Sequence, residues 1–348
     1  MNDNNSQPTR IKVIGVGGGG NNAVNRMIEG GLDDVEYWSI HDTFKKPNTN
    51  PLKKVLKVGK DVGTGSDPAA GKLAAEESIE EIRQIFANTD MVFVAAGLGS
   101  GFGTGAAPVV AKAAKDAGVL TIGVVTKPFR FEGPVTMKYA EDGILEMKKS
   151  VDALIVIEND NLMKVVEQNT SIKDAFGLGT EVLYKAIQGI STLITKTGYI
   201  NSDFANVQTV LKDAGTAYIG IGTGSGVDRA KVAAQKALES PLLSGKFAGA
   251  KRVLLNIAGN SKLSLVEVQE AAEMVQNMAD ADVNIIFGTI IDETLNDEVV
   301  VTVVSAGDAS TINTIPDKKF AQATQTFSKM LDDEDVDDLM PAFLMGSR

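Results

Sequence analysis

The chain has 348 residues, enough for two domains of ordinary size, and its 43% hydrophobic and 23% charged content is that of a soluble globular protein with real cores. It has no cysteine and one histidine, His41, which excludes disulfides, thiolate metal sites and multi-histidine metal centres. A net charge of −11 argues against a broad nucleic-acid surface, because phosphate backbones are bound by clustered lysine and arginine.

Residues 1–9 read as a disordered lead-in, polar and without an apolar signal core. No run of 18 apolar residues is present, so no segment is expected to span a membrane and a cytoplasmic location is expected. From residue 10 strands and helices alternate, the pattern of a parallel sheet with covering helices. A strand over 11–16 ends in glycines, followed by a helix over 22–28 and a strand over 35–40. A helix is predicted over 74–86. The run MVFVAA at 91–96 reads as a buried strand that again ends in a glycine-rich turn. A helix over 106–117, a strand over 120–125, a helix over 137–149 and a strand over 153–157 follow.

Residues 171–195 read as one long helix. Phe176, Val182, Leu183, Ala186, Ile187, Ile190 and Ile194 recur at helical spacing, more densely than one exposed face needs. A helix buried along much of its surface lies between two layers, so it is read as the joint between two domains. Beyond it, 207–213, 217–221, 252–257, 284–289 and 298–305 give the helices and strands of a second domain. The expected organisation is a first α/β unit over 10–170, a central helix over 171–198 and a second α/β domain over 199–307. A polar linker over 308–331 and a tail over 332–348 complete it. The tail holds an acidic run, Asp332 to Asp338, then an apolar stretch from Leu339 through Pro341 to Phe343 and Leu344. An acidic run alone is a solvated tail. A short apolar peptide after it also reads as a partner-binding motif.

Two motifs carry chemistry. Gly15-Val16-Gly17-Gly18-Gly19-Gly20-Asn21-Asn22 sits between a strand and a helix, where glycines admit phosphate and a helix N-terminus offers unpaired N–H groups. It also fits G-x-G-x-x-G, the dinucleotide fingerprint, a weak signal by itself because a tight turn without a ligand has the same pattern. Gly97-Leu98-Gly99-Ser100-Gly101-Phe102-Gly103-Thr104-Gly105 repeats the arrangement. Two such loops at the carboxyl ends of strands are able to close on one phosphate chain. A looser turn covers 63–68. No P-loop motif G-x-x-x-x-G-K-[ST] is present. Asp203, in Asn201-Ser202-Asp203-Phe204-Ala205-Asn206, reads either as a helix-end turn or as an acid that orients water or holds Mg²⁺.

In combination these segments resemble FtsZ, the bacterial division family related to tubulin. The resemblance rests on KVIGVGGGGNNAVNRMIE at 12–29, the paired glycine loops, FEG at 131–133, QGIS at 188–191, NSDFA at 201–205 and NIIFGTIID at 284–292, and it covers about residues 10–307. It implies a Rossmann-like, parallel-sheet GTP-binding domain, a long central helix and a second α/β domain. It implies GTP or GDP, with Mg²⁺, held between subunits that stack head to tail; a heterologous contact that does not close yields filaments. Gly18, Gly19, Gly20, Asn21, Asn22, Gly101, Gly103 and Thr104 would contact nucleotide, with Glu132 near the ribose, Phe176 stacking on guanine and Asn159 near the base. Asp203 would act in trans. The tail would dock membrane-tethering or regulatory division proteins.

The departures from the family pattern gather at the same places. The phosphate loop GGGTGTG is GSGFGTG here, so Phe102 replaces a threonine, removing a hydroxyl and adding bulk beside the phosphates. Asn-Thr-Asp after the second strand is His41-Asp42-Thr43, followed by the basic Lys45 and Lys46. Thr136 stands for the ribose-contacting arginine and Glu181 for the guanine-reading aspartate. Asn206 stands for the second acid of the catalytic loop; an amide supplies neither a base nor a full charge. Losing one such group costs on the order of 10²–10³ in rate, so slow or absent hydrolysis is expected. Three readings follow: an active GTPase of a division filament, a weakly hydrolysing structural or regulatory paralogue that co-assembles with an active relative, and an NAD-dependent oxidoreductase with Asp42 on the ribose.

Overall fold

The structure, a computed structural model, describes residues 8–43, 50–59, 63–163, 170–195, 203–240, 247, 250–280 and 282–306. The expected linker and the tail residues Leu339, Pro341, Phe343 and Leu344 lie outside them, as does the lead-in through residue 7.

The first half runs β1 (Ile11–Val16), α1 (Gly17–Glu29), β2 (Val35–His41), β3 (Lys53–Lys57), α2 (Pro68–Glu77), α3 (Ile79–Ile85), β4 (Met91–Gly97), α4 (Gly101–Asp116), β5 (Leu120–Lys127), α5 (Pro134–Ser150), β6 (Ala153–Glu158) and α6 (Asn159–Leu162). Its six strands are all parallel in the order β3-β2-β1-β4-β5-β6. A parallel sheet covered on both faces reads as continuous apolar runs, and β1 and β4 show why. Ile11, Val13, Met91 and Phe93 enter the core on one face, with Met27 of α1. Ile14, Val16, Val92 and Val94 enter the core on the other, with Val110 of α4.

The long helix α7 (Ile172–Thr195) buries Leu183, Ala186, Ile187 and Ile190 in the first of these cores. It also reaches the second half, where Gly189 lies against Thr302. That half runs α8 (Phe204–Leu211), β7 (Gly215–Ser225), α9 (Arg229–Leu238), β8 (Arg252–Gly259), α10 (Leu265–Met278), β9 (Asn284–Ile291) and β10 (Glu298–Ala306). The expected division at the central helix is not marked by a break in the sheet. β7 pairs in parallel with β6 over Ala153–Gly215, Leu154–Thr216 and Ile155–Ala217, so β7-β10-β8-β9 continues one ten-stranded sheet.

Several predicted boundaries move. The single helix over 74–86 is two helices that meet at Ser78, and the first begins at Pro68 behind Asp67, whose Oδ1 accepts from the Ala69 amide at 2.9 Å. Proline at the first helical position with an aspartate cap is a strong helix start. The helices predicted from Asn22 and Ala106 begin instead at Gly17 and Gly101.

In the second half Arg229, almost buried, donates from Nε to Glu267 Oε1 at 2.7 Å and from Nη1 to Asp297 Oδ1 at 3.3 Å. The Arg229 bond, with the Ser264 cap, holds the Glu267 carboxyl below its ordinary value of 4.5 against the opposing effect of burial. A depressed carboxyl contributes stability above its unfolded pKa and loses it as pH falls through the folded one. Glu267→Gln is therefore expected to cost about 1–3 kcal/mol at neutral pH and almost nothing well below pH 4. Thermal unfolding across that range checks it, and a penalty independent of pH would reject the ion pair as its cause.

Candidate nucleotide site

In the strand order β3-β2-β1-β4-β5-β6, connections leave β1 and β4 in opposite directions. The crevice outside the carboxyl ends of two such strands is where open α/β sheets bind ligands. Both glycine motifs lie there. They are not free loops: Gly17 to Gly20 form the first turn of α1, and Gly101 to Gly105 the first turn of α4. First turns leave N–H groups unpaired. Neither cap residue, Val16 or Ser100, caps its helix with a side chain, and neither first turn holds an acid. The Ser100 hydroxyl instead donates to the Gly97 carbonyl at 3.3 Å. Two uncapped helix N-termini side by side form an anion site through their N–H groups and dipoles.

The two turns touch. A Cβ added at Gly19 would stand 3.1 Å from the Gly97 backbone, and one at Gly17 would stand 3.2 Å from the Gly103 nitrogen. Gly18 differs: it is exposed, and an added Cβ would meet nothing within 4 Å. Nothing in the chain's own packing calls for glycine there, which fits a ligand drawn against the backbone. Thr104 is buried, and its Oγ1 accepts from the Gly99 amide at 2.8 Å, tying the second turn together. The Phe102 ring reaches the first glycine turn from within, its Cδ1 3.5 Å from where a Gly17 Cβ would be. It is 5% exposed and belongs to the core between the sheet and α2–α5, so its bulk lies beneath the first turn. Thr136 packs on the second turn, its Cγ2 2.7 Å from where a Gly99 Cβ would be, and its hydroxyl donates to the Glu132 carbonyl. Glu132 is exposed, with Oε1 accepting from the Phe129 amide at 2.8 Å.

Helix α1 leads from the first glycine turn to α7, against which it packs. From Gly20 to Arg26 the helix rises about 9 Å, near the span from an α-phosphate to a base. Arg26 Nε donates to Glu181 Oε2 at 2.6 Å, so Glu181 is engaged by α1. Beside it, Asn159 is buried with its Oδ1 lacking any partner, 3.1 Å from where a Gly179 Cβ would be. An unpaired buried amide oxygen is costly and is a place for a ligand donor. Phe176 is 43% exposed and packs edge-on against Phe129 and Phe131, and Phe131 is exposed as well. The aromatic edge, the orphaned amide and the open turn at Gly18 fit a purine nucleotide laid from α7 to the helix N-termini.

Asn21 faces the sheet rather than standing alone. Its Oδ1 accepts from Ser39 Oγ at 3.0 Å and from Lys53 Nζ at 2.8 Å. His41 Nε2 lies 2.7 Å from the same serine hydroxyl, and burial, with Lys53 close by, keeps its imidazole below the ordinary value. Asn22 is exposed. Sequence reasoning missed Asn25 and Lys53, which are joined at 2.7 Å through Lys53 Nζ and Asn25 Oδ1; the only local signal was Asn25 standing one helical turn after Asn21. Asp42 accepts from the amide and hydroxyl of Thr64 at 2.8 and 3.0 Å, so it anchors the looser turn over 63–68.

Asp203 and Asn206 are elsewhere. Asp203 is the exposed N-cap of α8 and makes no side-chain capping bond, and the backbone N–H of Asn206, also exposed, donates to the Asp203 carbonyl at 2.9 Å. Helix α8 sits on β8 and β9, with Val207 and Val210 in the core. β1 and β8 are six strand positions apart. At the usual spacing that is about 29 Å, so Asp203 is far from its own chain's glycine turns. Among the described residues no cluster of three or more acidic or histidine side chains stands ready for a metal.

A parallel sheet with paired anion-binding turns at its switch point and an aromatic, amide-lined far end defines a nucleotide-binding α/β protein. Residues 10–167 match the Tubulin/FtsZ family, GTPase domain, and residues 215–308 match the FtsZ family, C-terminal domain. The FtsZ dimer of M. jannaschii is 41% identical over 88% of this chain and 90% of that one, with a TM-score of 0.83. CetZ2 from Haloferax volcanii, solved as a GTPγS-bound protofilament, shares the fold at 18% identity, TM-score 0.74, over 93% of this chain and all of its own. The chain belongs to the Tubulin/FtsZ family.

Proposed function

We propose that the chain binds GTP and forms head-to-tail filaments of bacterial cell division, with hydrolysis at the subunit junction slowed by Asn206 and Phe102. The observation that carries this reading is the place of Asp203, the acid that the family pattern assigns to catalysis: it opens α8 on β8 and β9, six strand positions from β1 or about 29 Å at the usual strand spacing, too far to act on the glycine turns of its own chain. Relatives solved as a dimer and as a protofilament support it. On this reading each Asp203 caps the nucleotide of the next subunit. Asn206 supplies no charge beside it, and Phe102 removes a hydroxyl from the phosphate turn. The tail residues Leu339, Pro341, Phe343 and Leu344 then dock membrane-tethering or regulatory partners at the division site, in the cytoplasm. Among the described residues no helix is long and apolar enough to cross a membrane.

A second reading, a non-hydrolysing structural or regulatory paralogue that co-assembles with an active relative, is favoured by the same asparagine. The oxidoreductase reading falls with the family match, and Asp42, its ribose acid, is taken by Thr64. The test is sedimentation of the purified chain with GTP, GDP and no nucleotide, together with identification of the nucleotide that co-purifies. Guanine nucleotide and GTP-dependent pelleting are expected. Pelleting only after an active relative is added supports the second reading, and no pelleting under any condition rejects both.

A further inference from the structure

A groove crosses the outer face of the first half, where α4 lies between α2–α3 and α5. One stripe of α4, Thr104–Gly105, Pro108–Val109 and Lys112–Ala113, returns at each turn to form its floor. Ile79 and Tyr139 stand on opposite walls, and the cavity holds about 670 Å³. Ile79, Pro108, Val109 and Tyr139 are only half-buried, so an apolar trough is left open. From Thr104 to Asp116 the floor runs about 18 Å along the helix. Its lower end, at Asp116 and Ser150, sits at the amino ends of β5 and β6. Charge along it is uneven. Arg83, Lys112 and Asp116 line the lower end, whereas above them Asp67, Glu76, Asp142 and Glu146 face Lys72 alone. The last described residue, Ala306, lies at this same end of the sheet. It pairs with Ala217 of β7, and Ala217 with Ile155 of β6, so two strand spacings, about 10 Å, separate it from the strand that follows Ser150.

We infer that this groove holds the apolar tail segment of the same chain, Leu339 to Leu344, and keeps it from other partners while it is seated. Reach permits it. Residues 307–338 span up to about 100 Å when extended, several times the distance from Ala306 to the lower end. Length fits it. Pro341 disfavours a helix, and six extended residues cover about 20 Å, close to the length of the floor. Charge sets the direction. The acidic run Asp332 to Asp338 precedes the segment and meets the end where cations lead, and Arg348 follows it toward the end where acids do. The reverse direction would lay the acidic run on the acidic end. A segment tethered to its own site needs little affinity, since tethering gives it an effective concentration on the order of 1 mM. The inference goes beyond the proposed function: a partner that docks the tail must first displace it from α4.

The chain has no cysteine, so an engineered pair reports one contact cleanly. The test oxidises the full chain carrying Val109→Cys on the floor and Phe343→Cys in the tail with diamide, and follows disulfide formation on non-reducing gels. Val109→Cys is nearly isosteric, so the floor keeps its shape. Val227→Cys with Phe343→Cys is the control. Val227 is 89% exposed and stands just beyond the far end of β7, about 30 Å from Ala306, so an unseated tail finds it at least as readily as the half-buried Val109. A within-chain disulfide is expected at least about tenfold faster with Val109→Cys than with Val227→Cys, at a rate independent of protein concentration. Adding Leu339→Ser and Leu344→Ser is expected to bring the two rates together. Equal rates without those serines, or a difference that survives them, overturns the inference. A disulfide that forms only between chains, faster as protein concentration rises, overturns it as well, by assigning the groove to the tail of a second copy.

Discussion

Replacing Asn206 with aspartate is expected to raise GTP hydrolysis per chain by on the order of 10²–10³-fold, the size of one electrostatic group in a hydrolytic site. The position suits the change. Asn206 is exposed in the first turn of α8, one turn after the cap residue Asp203. An acid there meets the positive end of the helix, worth about 0.3–1 kcal/mol, so the variant should fold at least as well as the wild type. Its own chain's crevice lies about 29 Å away, so nucleotide affinity should not move. Rate should also rise with protein concentration, because the acid works on a neighbour. A wild-type rate already close to that of ordinary family members, or a variant no faster than its parent, would remove Asn206 as the cause of slow turnover.

The second large effect is expected at Gly20. A Cβ there would stand 2.2 Å from the Ala95 carbonyl and 2.9 Å from Gly15. No real contact is that short, so Gly20→Ala must push the first turn of α1 off the end of β4. Overpacking of this kind costs about 1–3 kcal/mol of stability. Losing two aligned backbone donors to a charged ligand adds about 3 kcal/mol, or about 10²-fold, in affinity. Gly18→Ala is the companion, since its Cβ meets nothing in the protein. It should leave thermal stability within about 0.5 kcal/mol while still weakening nucleotide binding. If both variants bind as the wild type does, the turn is not a phosphate site.

How much was legible depended on whether the deciding contact was local. β1 and β4 were readable because both of their faces are buried: the run of β4 is continuously apolar, and that of β1 is broken only by Lys12, which is itself buried. The glycine pairs were readable because no other residue permits such close approach. β3 was missed: Lys53-Lys54-Val55-Leu56-Lys57 is a basic edge strand whose identity comes from pairing with β2. The break at Ser78 hides inside a continuous helical pattern. Asn159 and Phe176 were placed by resemblance, but the orphaned oxygen and the edge-on phenyl cluster are products of how α6 and α7 meet. Phe102 was read as bulk beside the phosphates; its ring is packed in the core under α4 with one edge against the first glycine turn, a direction set by packing that no local pattern shows. The Lys53 bridge needed three elements in register, and no window of sequence contains them.

The junction between β6 and β7 has a mechanical consequence. Only three residue pairs join these strands, against six between β5 and β6 and nine between β7 and β10. A load that pulls the two halves apart therefore meets few backbone bonds at this narrow seam, and among the described residues the long helix and the apolar core shared by both halves are the other ties. A row of such subunits under load would yield first inside each subunit, not uniformly along its length, and its compliance would be set by those few backbone pairs and by how firmly α7 stays seated.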